Sequence, residues 1–144
     1  MQYEPTLDRD ALIKFATKTY FGNVDAKNMD AVLDCFHDEA LFCVQTDFTR
    51  HSGKGEIRRM FEDFFGAYET IIHRDFTCTV DEANGRISAS FIAELHDADG
   101  QVTLLHNTNF WRLRPTGQDG GPDKGAKAKF QEVYVYMSGA NVLT

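Results

Sequence analysis

The chain has little cysteine and no cysteine pair. Cys35, Cys43 and Cys78 are three in number and widely spaced. That excludes a disulfide framework and a CxxC motif, so a reduced, cytoplasmic protein is the expectation. No apolar run approaches the ~20 residues of a membrane span. The opening Met1-Gln2-Tyr3-Glu4-Pro5 is neither basic nor apolar, so no secretory signal is expected. Positive charge is scarce: 15 Lys and Arg against 22 Asp and Glu leave a net charge of −7. This argues against nucleic acid and anionic membranes as partners, since both recruit basic surfaces. The patterns GxxxxGKS/T, GxGxxG, HExxH and GxSxG are absent, which removes the strongest evidence for nucleotide-fold, zincin and serine-hydrolase functions. The five His show no ligand spacing on one element, so no metal is expected. No cofactor is implied either.

Phenylalanine is in excess: 12 Phe against one Trp and five Tyr in 144 residues. The length suits a single domain over residues 1–144. The rings imply a packed core or an apolar pocket walled by aromatics. Asp8 or Thr6 caps a predicted helix to about Val24, with Leu12, Phe15, Ala16, Tyr20 and Val24 on one face. Asn28 caps a second helix, whose stripe is Met29, Val32, Leu33 and Phe36. Residues 39–45 read as a strand and 46–55 as a loop. A third helix is predicted over 55–68, with Ile57, Met60, Phe61, Phe64 and Phe65 inward. Strands follow at 70–80, 86–96, 101–114 and 130–137, with turns at Asn84-Gly85 and Asp97–Gly100. Residues 115–129, rich in Gly and Pro, read as a flexible hairpin loop. Three N-terminal helices on a strongly curved, mostly antiparallel sheet make an α+β cone enclosing a pocket.

Four segments carry a resemblance. They are Val24-Asp25-Ala26-Lys27-Asn28-Met29-Asp30, Phe36-His37-Asp38-Glu39-Ala40, Gly53-Lys54-Gly55-Glu56-Ile57 and Val135-Tyr136-Met137-Ser138-Gly139-Ala140-Asn141-Val142. With these in order over about residues 8–142, the chain resembles the nuclear transport factor 2-like superfamily. Ketosteroid isomerases, SnoaL-like polyketide cyclases and scytalone dehydratase share its cystatin-like cone. The resemblance implies a small-molecule pocket protein: a cofactor-independent isomerase, cyclase or dehydratase acting on a carbonyl-containing or polycyclic compound. The alternative is a non-catalytic ligand-binding or dimerisation module of the same fold. By resemblance, Tyr20 and Asn109 donate to a developing oxyanion. The ketosteroid isomerase base falls at Val44, which moves no proton, and Asp47 three residues on would need a different geometry. Scytalone dehydratase-type sites point instead to Asp25, His73 and His96, with His73 as the base. The implied ligand wall adds Val44, Met60, Asn107, Trp111 and Met137. The implied partners are a small apolar or aromatic ligand and a second copy bound through the sheet.

A four-residue turn at Asp97–Gly100 predicts the cross-strand pairs Ser88–Asn109, Ser90–Asn107, Ile92–Leu105 and Glu94–Thr103 on one face. Ile87–Phe110, Ala89–Thr108, Phe91–His106, Ala93–Leu104 and Leu95–Val102 share the other. By resemblance the polar face lines the pocket with Asn109, Asn107, Glu94 and His96. Glu94 is a further candidate base if buried there. The apolar face, with Phe91, Phe110 and Leu104, is then the dimer interface. Each residue also has a purely structural reading: core hydrogen bonds for Tyr20, His73 and the asparagines, solvation for Glu94 and His96, a turn cap for Asp25. Convergence of Tyr20, His73 and Asn109 on one void would support a ligand site. A void filled by Phe would oppose it.

Overall fold

The chain's architecture is given by a computed structural model that describes residues 7–116 and 128–144. Asp8 caps the first helix, its carboxylate accepting the Ala11 amide at 2.8 Å; Thr6, the other candidate, lies outside the described residues. That helix, α1 (Arg9–Lys14), continues through a π-helical stretch (Phe15–Tyr20) into α2 (Phe21–Asp25). Such wider turns recur at functional sites, and this one ends on Tyr20. Both Tyr20 and the adjacent Phe21 are buried. Lys27 has a left-handed backbone, φ +56°. Its ammonium donates to the carbonyls of Phe65, at 2.9 Å, and Tyr68. Asn28 then caps α3 (Met29–Asp34) through the Ala31 amide.

The sheet holds β1 (Phe36–Val44), β2 (Thr49–Ser52), β3 (Thr70–Asp81), β4 (Arg86–His96), β5 (Val102–Pro115) and β6 (Ala128–Tyr136). Between β2 and β3 runs α4 (Gly53–Ala67), which buries Ile57, Met60, Phe61 and Phe64. Strand order is β2-β1-β6-β5-β4-β3. Only β1–β6 pairs in parallel; the other neighbours are antiparallel. Three helices (α1 with its continuation α2, then α3 and α4) therefore pack on one six-stranded sheet, an α+β arrangement. No helix among the described residues is long and apolar enough to cross a membrane.

Several boundaries differ from the sequence reading. The expected loop at 46–55 contains β2, whose Thr-Arg-His-Ser is too short and polar to signal a strand. The first strand starts at Phe36, three residues early. The hairpin loop expected at 115–129 is narrower, because Arg114 pairs with Lys129 and Pro115 with Ala128. Its remainder, 117–127, lies outside the described residues.

The main correction concerns the β4–β5 hairpin. Its loop has five residues, not four: the Asp97 amide donates to the Gln101 carbonyl, and His96 pairs with Val102. The Asp97 carboxylate holds the loop by accepting the Asp99 and Gln101 amides, and Gly100 takes φ +80°. One added residue changes the pairs to Ala89–Asn109, Phe91–Asn107 and Glu94–Leu104. A one-residue slip moves each β5 partner to the opposite face. Ala89, Phe91, Ala93 and Leu95 therefore share the inner face with Leu105, Asn107, Asn109 and Trp111. Glu94, His96, Leu104 and Phe110 lie outside.

Strand β3 changes phase by a different device. Its pairing with β4 shifts between Arg74 and Thr77, where Asp75 sits at φ +60°. This is the signature of a bulge, which re-aims the side chains that follow. Ile71 and His73 face the core before it. Phe76, Cys78 and Val80 pack against the core after it.

Candidate active site

Asp25 ends α2, and His73 stands opposite it on β3. The two are joined twice: His73 Nδ1 lies 2.6 Å from Asp25 Oδ1, and the His73 backbone amide donates to Oδ2 at 2.9 Å. The second bond fixes the strand relative to the helix, so the first is geometrically determined. A neutral imidazole that donates from Nδ1 keeps a lone pair on Nε2. The ring is 8% exposed and the carboxylate 26%. The imidazole also stacks on Phe21, with centroids 4.1 Å apart and planes 17° off parallel, and meets Phe91 at 5.5 Å. It is held on three sides.

His73 lines one cavity with Tyr20, Phe64, Phe91, Asn107 and Asn109. Tyr20 stands at the centre of an aromatic cluster. Phe21, Phe36, Phe61, Trp111 and Phe130 all have centroids within 4.8–6.4 Å of its ring. Burial, with smaller contributions from Cys35 and Asp25, raises its phenol well above the ordinary value. The hydroxyl therefore stays protonated and can only stabilise charge by donating. Asn107 and Asn109 point inward from successive inner positions of β5. Asn107 Oδ1 accepts the Ser138 amide at 3.4 Å. Asn109 Oδ1 is buried without a partner, and so is the Trp111 indole nitrogen. Buried polar atoms are rarely left so, and a ligand or water presenting a hydroxyl would satisfy the amide.

The cavity is narrow. Its free volume is about 30 Å³, room for one or two waters. Phe21, Phe42, Phe61, Phe64 and Phe91 stand in its wall. A larger groove of about 310 Å³ lies on the outer face among Phe110, Arg112, Glu132 and Tyr134. Its Arg112 and Glu132 are ion-paired at 2.9 Å, and its lining includes Asp81 but no His.

The structure thus brings Tyr20, His73, Asn107, Asn109 and Met137 to one cavity, with Asp25 behind His73. Val44, Met60 and Trp111 are buried in the core but do not line it. Glu94 and His96 are not in the pocket; this corrects the expected face. His96 Nε2 lies 2.7 Å from Glu94 on the outer face, where Arg74 also binds Glu94. The hydrogen bond to His96, then that from Arg74, keeps Glu94 below the usual carboxylate range, the opposite of a base raised by burial. Phe91, expected outside, is inside for the same reason. Asp47 lies in the loop after β1 and holds Thr49 and Asn141. Sequence reasoning missed Phe21, Val142 and Leu143. Phe21 carries no distinct signal beside Tyr20, and the other two lie outside regular elements. Among the described residues, no group of three His, Cys, Asp or Glu forms a metal-binding cluster.

Solved structures share this fold. One is a proposed aromatic ring hydroxylase from Novosphingobium aromaticivorans: 22% identity, 90% of this chain and 88% of that one covered, TM-score 0.72. A proposed polyketide cyclase from Xanthomonas campestris is 18% identical, covering 87% and 89%, TM-score 0.68. A Catenulispora acidiphila protein with a ketosteroid isomerase-like fold, solved with trimethylamine, is 8% identical, covering 83% and 82%, TM-score 0.64. No curated protein matches the chain. The SnoaL-like domain model matches residues 5–121, most of the helices and strands just described, and the chain belongs to the SnoaL-like family.

Proposed function

We propose that the chain is a cofactor-independent enzyme that moves a proton on a small carbonyl-containing or aromatic compound, as an isomerase or cyclase does. One observation carries this: a buried imidazole lining an apolar cavity, with Nδ1 bound to a carboxylate at 2.6 Å. Asp25 selects the tautomer and stabilises the imidazolium once formed. His73 Nε2 takes a proton from carbon beside a carbonyl. The C–H electron pair passes to the carbonyl oxygen as an enolate, and the imidazolium returns the proton to the same or another carbon. Tyr20, as a neutral phenol, and the Asn107 and Asn109 amides are the donors available to that oxygen. The names of similar structures, which include a proposed polyketide cyclase and a proposed isomerase from Bacillus subtilis, are consistent with such chemistry. Val44 at the expected base position is no obstacle, because β3 supplies the base from across the cone.

The test is solvent deuterium exchange into cyclic unsaturated ketones, followed by mass spectrometry. Wild type should exchange. His73→Ala should slow this by on the order of 10²–10⁴-fold, the usual size of a general-base contribution, and Tyr20→Phe by less. No exchange in wild type, or equal exchange in His73→Ala, overturns the assignment for these substrates.

The narrow void favours a second reading, a non-catalytic module that holds a very small ligand or none. In both readings we infer a homodimer through the outer face of the sheet. Its support is Val102, Leu104, Phe110 and Tyr136, which stand about half exposed on the outer face, an apolar cluster of the kind that marks interaction sites.

A further inference from the structure

A cavity of about 30 Å³ cannot admit a ring. A void near 150 Å³ is what holds benzene in an engineered protein. Some wall must therefore move if the cone binds the ligands proposed above, on which this inference rests. The wall residues fall into two groups. Tyr20, Phe42, Phe64, His73, Phe91, Asn109 and their neighbours lie in helices or paired strands. Met137, Val142 and Leu143 do not; they belong to the irregular segment after β6.

That segment lies against the cavity as a strap, with Met137, Val142 and Leu143 in its lining. Among the described residues, every hydrogen bond of residues 138–144 involves a side chain, its own or a neighbour's. Asn141 Nδ2 donates to the Asp47 carboxylate at 3.1 and 3.2 Å, while its Oδ1 accepts the Leu143 amide at 2.7 Å. His51 Nε2 lies 3.0 Å from the Leu143 carbonyl, and Arg59 donates to the Thr144 carbonyl at 3.0 Å. Nearer β6, Ser138 bonds His106 and Asn107. Gly139 follows, so close to Leu105 that a Cβ would stand 2.9 Å from its Cδ2. Segments fastened this way open at lower free energy than sheet or helix.

We propose that residues 139–144 form a gate: ligands enter the cone when the strap swings about Ser138–Gly139, releasing Asn141 from Asp47 and withdrawing Val142 and Leu143. In the closed state these two side chains are the part of the wall that the swing removes. Asn141 is the clasp, since it alone binds both the barrel rim and the strap's own backbone.

Opening can be read without any substrate. In an Ala93→Cys protein the new thiol faces the cavity, because Ala93 is buried in its lining. Iodoacetamide labelling is followed peptide by peptide, with the half-buried Cys78 as internal reference. Adding Asn141→Ala should speed labelling at position 93 roughly tenfold, the effect of one or two lost hydrogen bonds, with Cys78 unchanged. Arg59→Met, an exposed change on α4, should act in the same direction. Unchanged labelling at 93 in both folded variants overturns the gate. So does parent labelling at 93 as fast as at Cys78. The labelling needs no turnover, so failure of the proton-transfer reading is seen separately, in the deuterium experiment.

Discussion

At the residue scale the site depends on how one carboxylate is shared. Asp25 gives one oxygen to the His73 ring and the other to its backbone amide. Asp25→Asn separates the two duties. The amide oxygen can still accept the backbone bond, but its NH₂ then faces Nδ1 and forces the proton onto Nε2. The expected outcome is a folded protein with a near-normal melting temperature and exchange reduced by on the order of 10²–10⁴-fold. Exchange equal to wild type would show that Asp25 only ties α2 to β3. Tyr20 and His73 were legible in the sequence as candidates. Their environment was not, because the rings that hold them come from Phe21, Phe91 and Trp111, on three different elements.

At the element scale the decisive features are small irregularities. The hydrophobic periods placed α4, β3, β4, β5 and β6 to within two or three residues. They could not count the hairpin loop. Asp97-Ala98-Asp99-Gly100 looks like a complete turn, yet the Asp97 side chain draws Gln101 into it, and this one residue decides that Asn109 faces Ala89 rather than Ser88. The strap depends on an equally local contact. Hydrogen bonds from Thr49, then Asn141, hold the Asp47 carboxyl below its usual range. A lowered value means the ionised form is favoured when folded, so this stabilisation is present above the ordinary carboxylate range and lost as pH falls through the lowered value. The Asn141 side-chain amide signals should thus shift in NMR spectra with a midpoint below that of a free Asp, and Asp47→Asn should abolish the transition. A midpoint at the ordinary value would mean that the clasp is not formed in solution.

At the scale of the whole molecule, the twelve Phe are a buried group with Phe15, Phe65 and Phe76 packed against it, and two exposed rings, Phe48 in the turn after β1 and Phe110. Phe21, Phe36, Phe42, Phe61, Phe64, Phe91 and Phe130 are buried in one cluster. Phe110, 47% exposed, lies on the outer sheet surface with Leu104 and Tyr136 and contacts Tyr136 at 5.8 Å. If a second copy covers that surface, sedimentation equilibrium should give twice the chain mass. Leu104→Asp and Phe110→Asp should each give the single mass with folding intact, because a buried unpaired carboxylate is costly. A monomeric wild type at tens of micromolar would end the dimer proposal.

What the sequence determined by itself is what depends on local pattern: helix caps at Asp8 and Asn28, the apolar stripe of α4, the alternation of the long strands, and hence the α+β cone. Tertiary structure alone decided what depends on register and distance. It set which face of β5 points inward and moved Glu94 and His96 out of the pocket. It paired Asp25 with His73 across 48 residues of chain, and it brought Leu143 into the cavity wall. A period of two fixes that side chains alternate, but only the count of residues in a turn, closed by Asp97, says which of them meet.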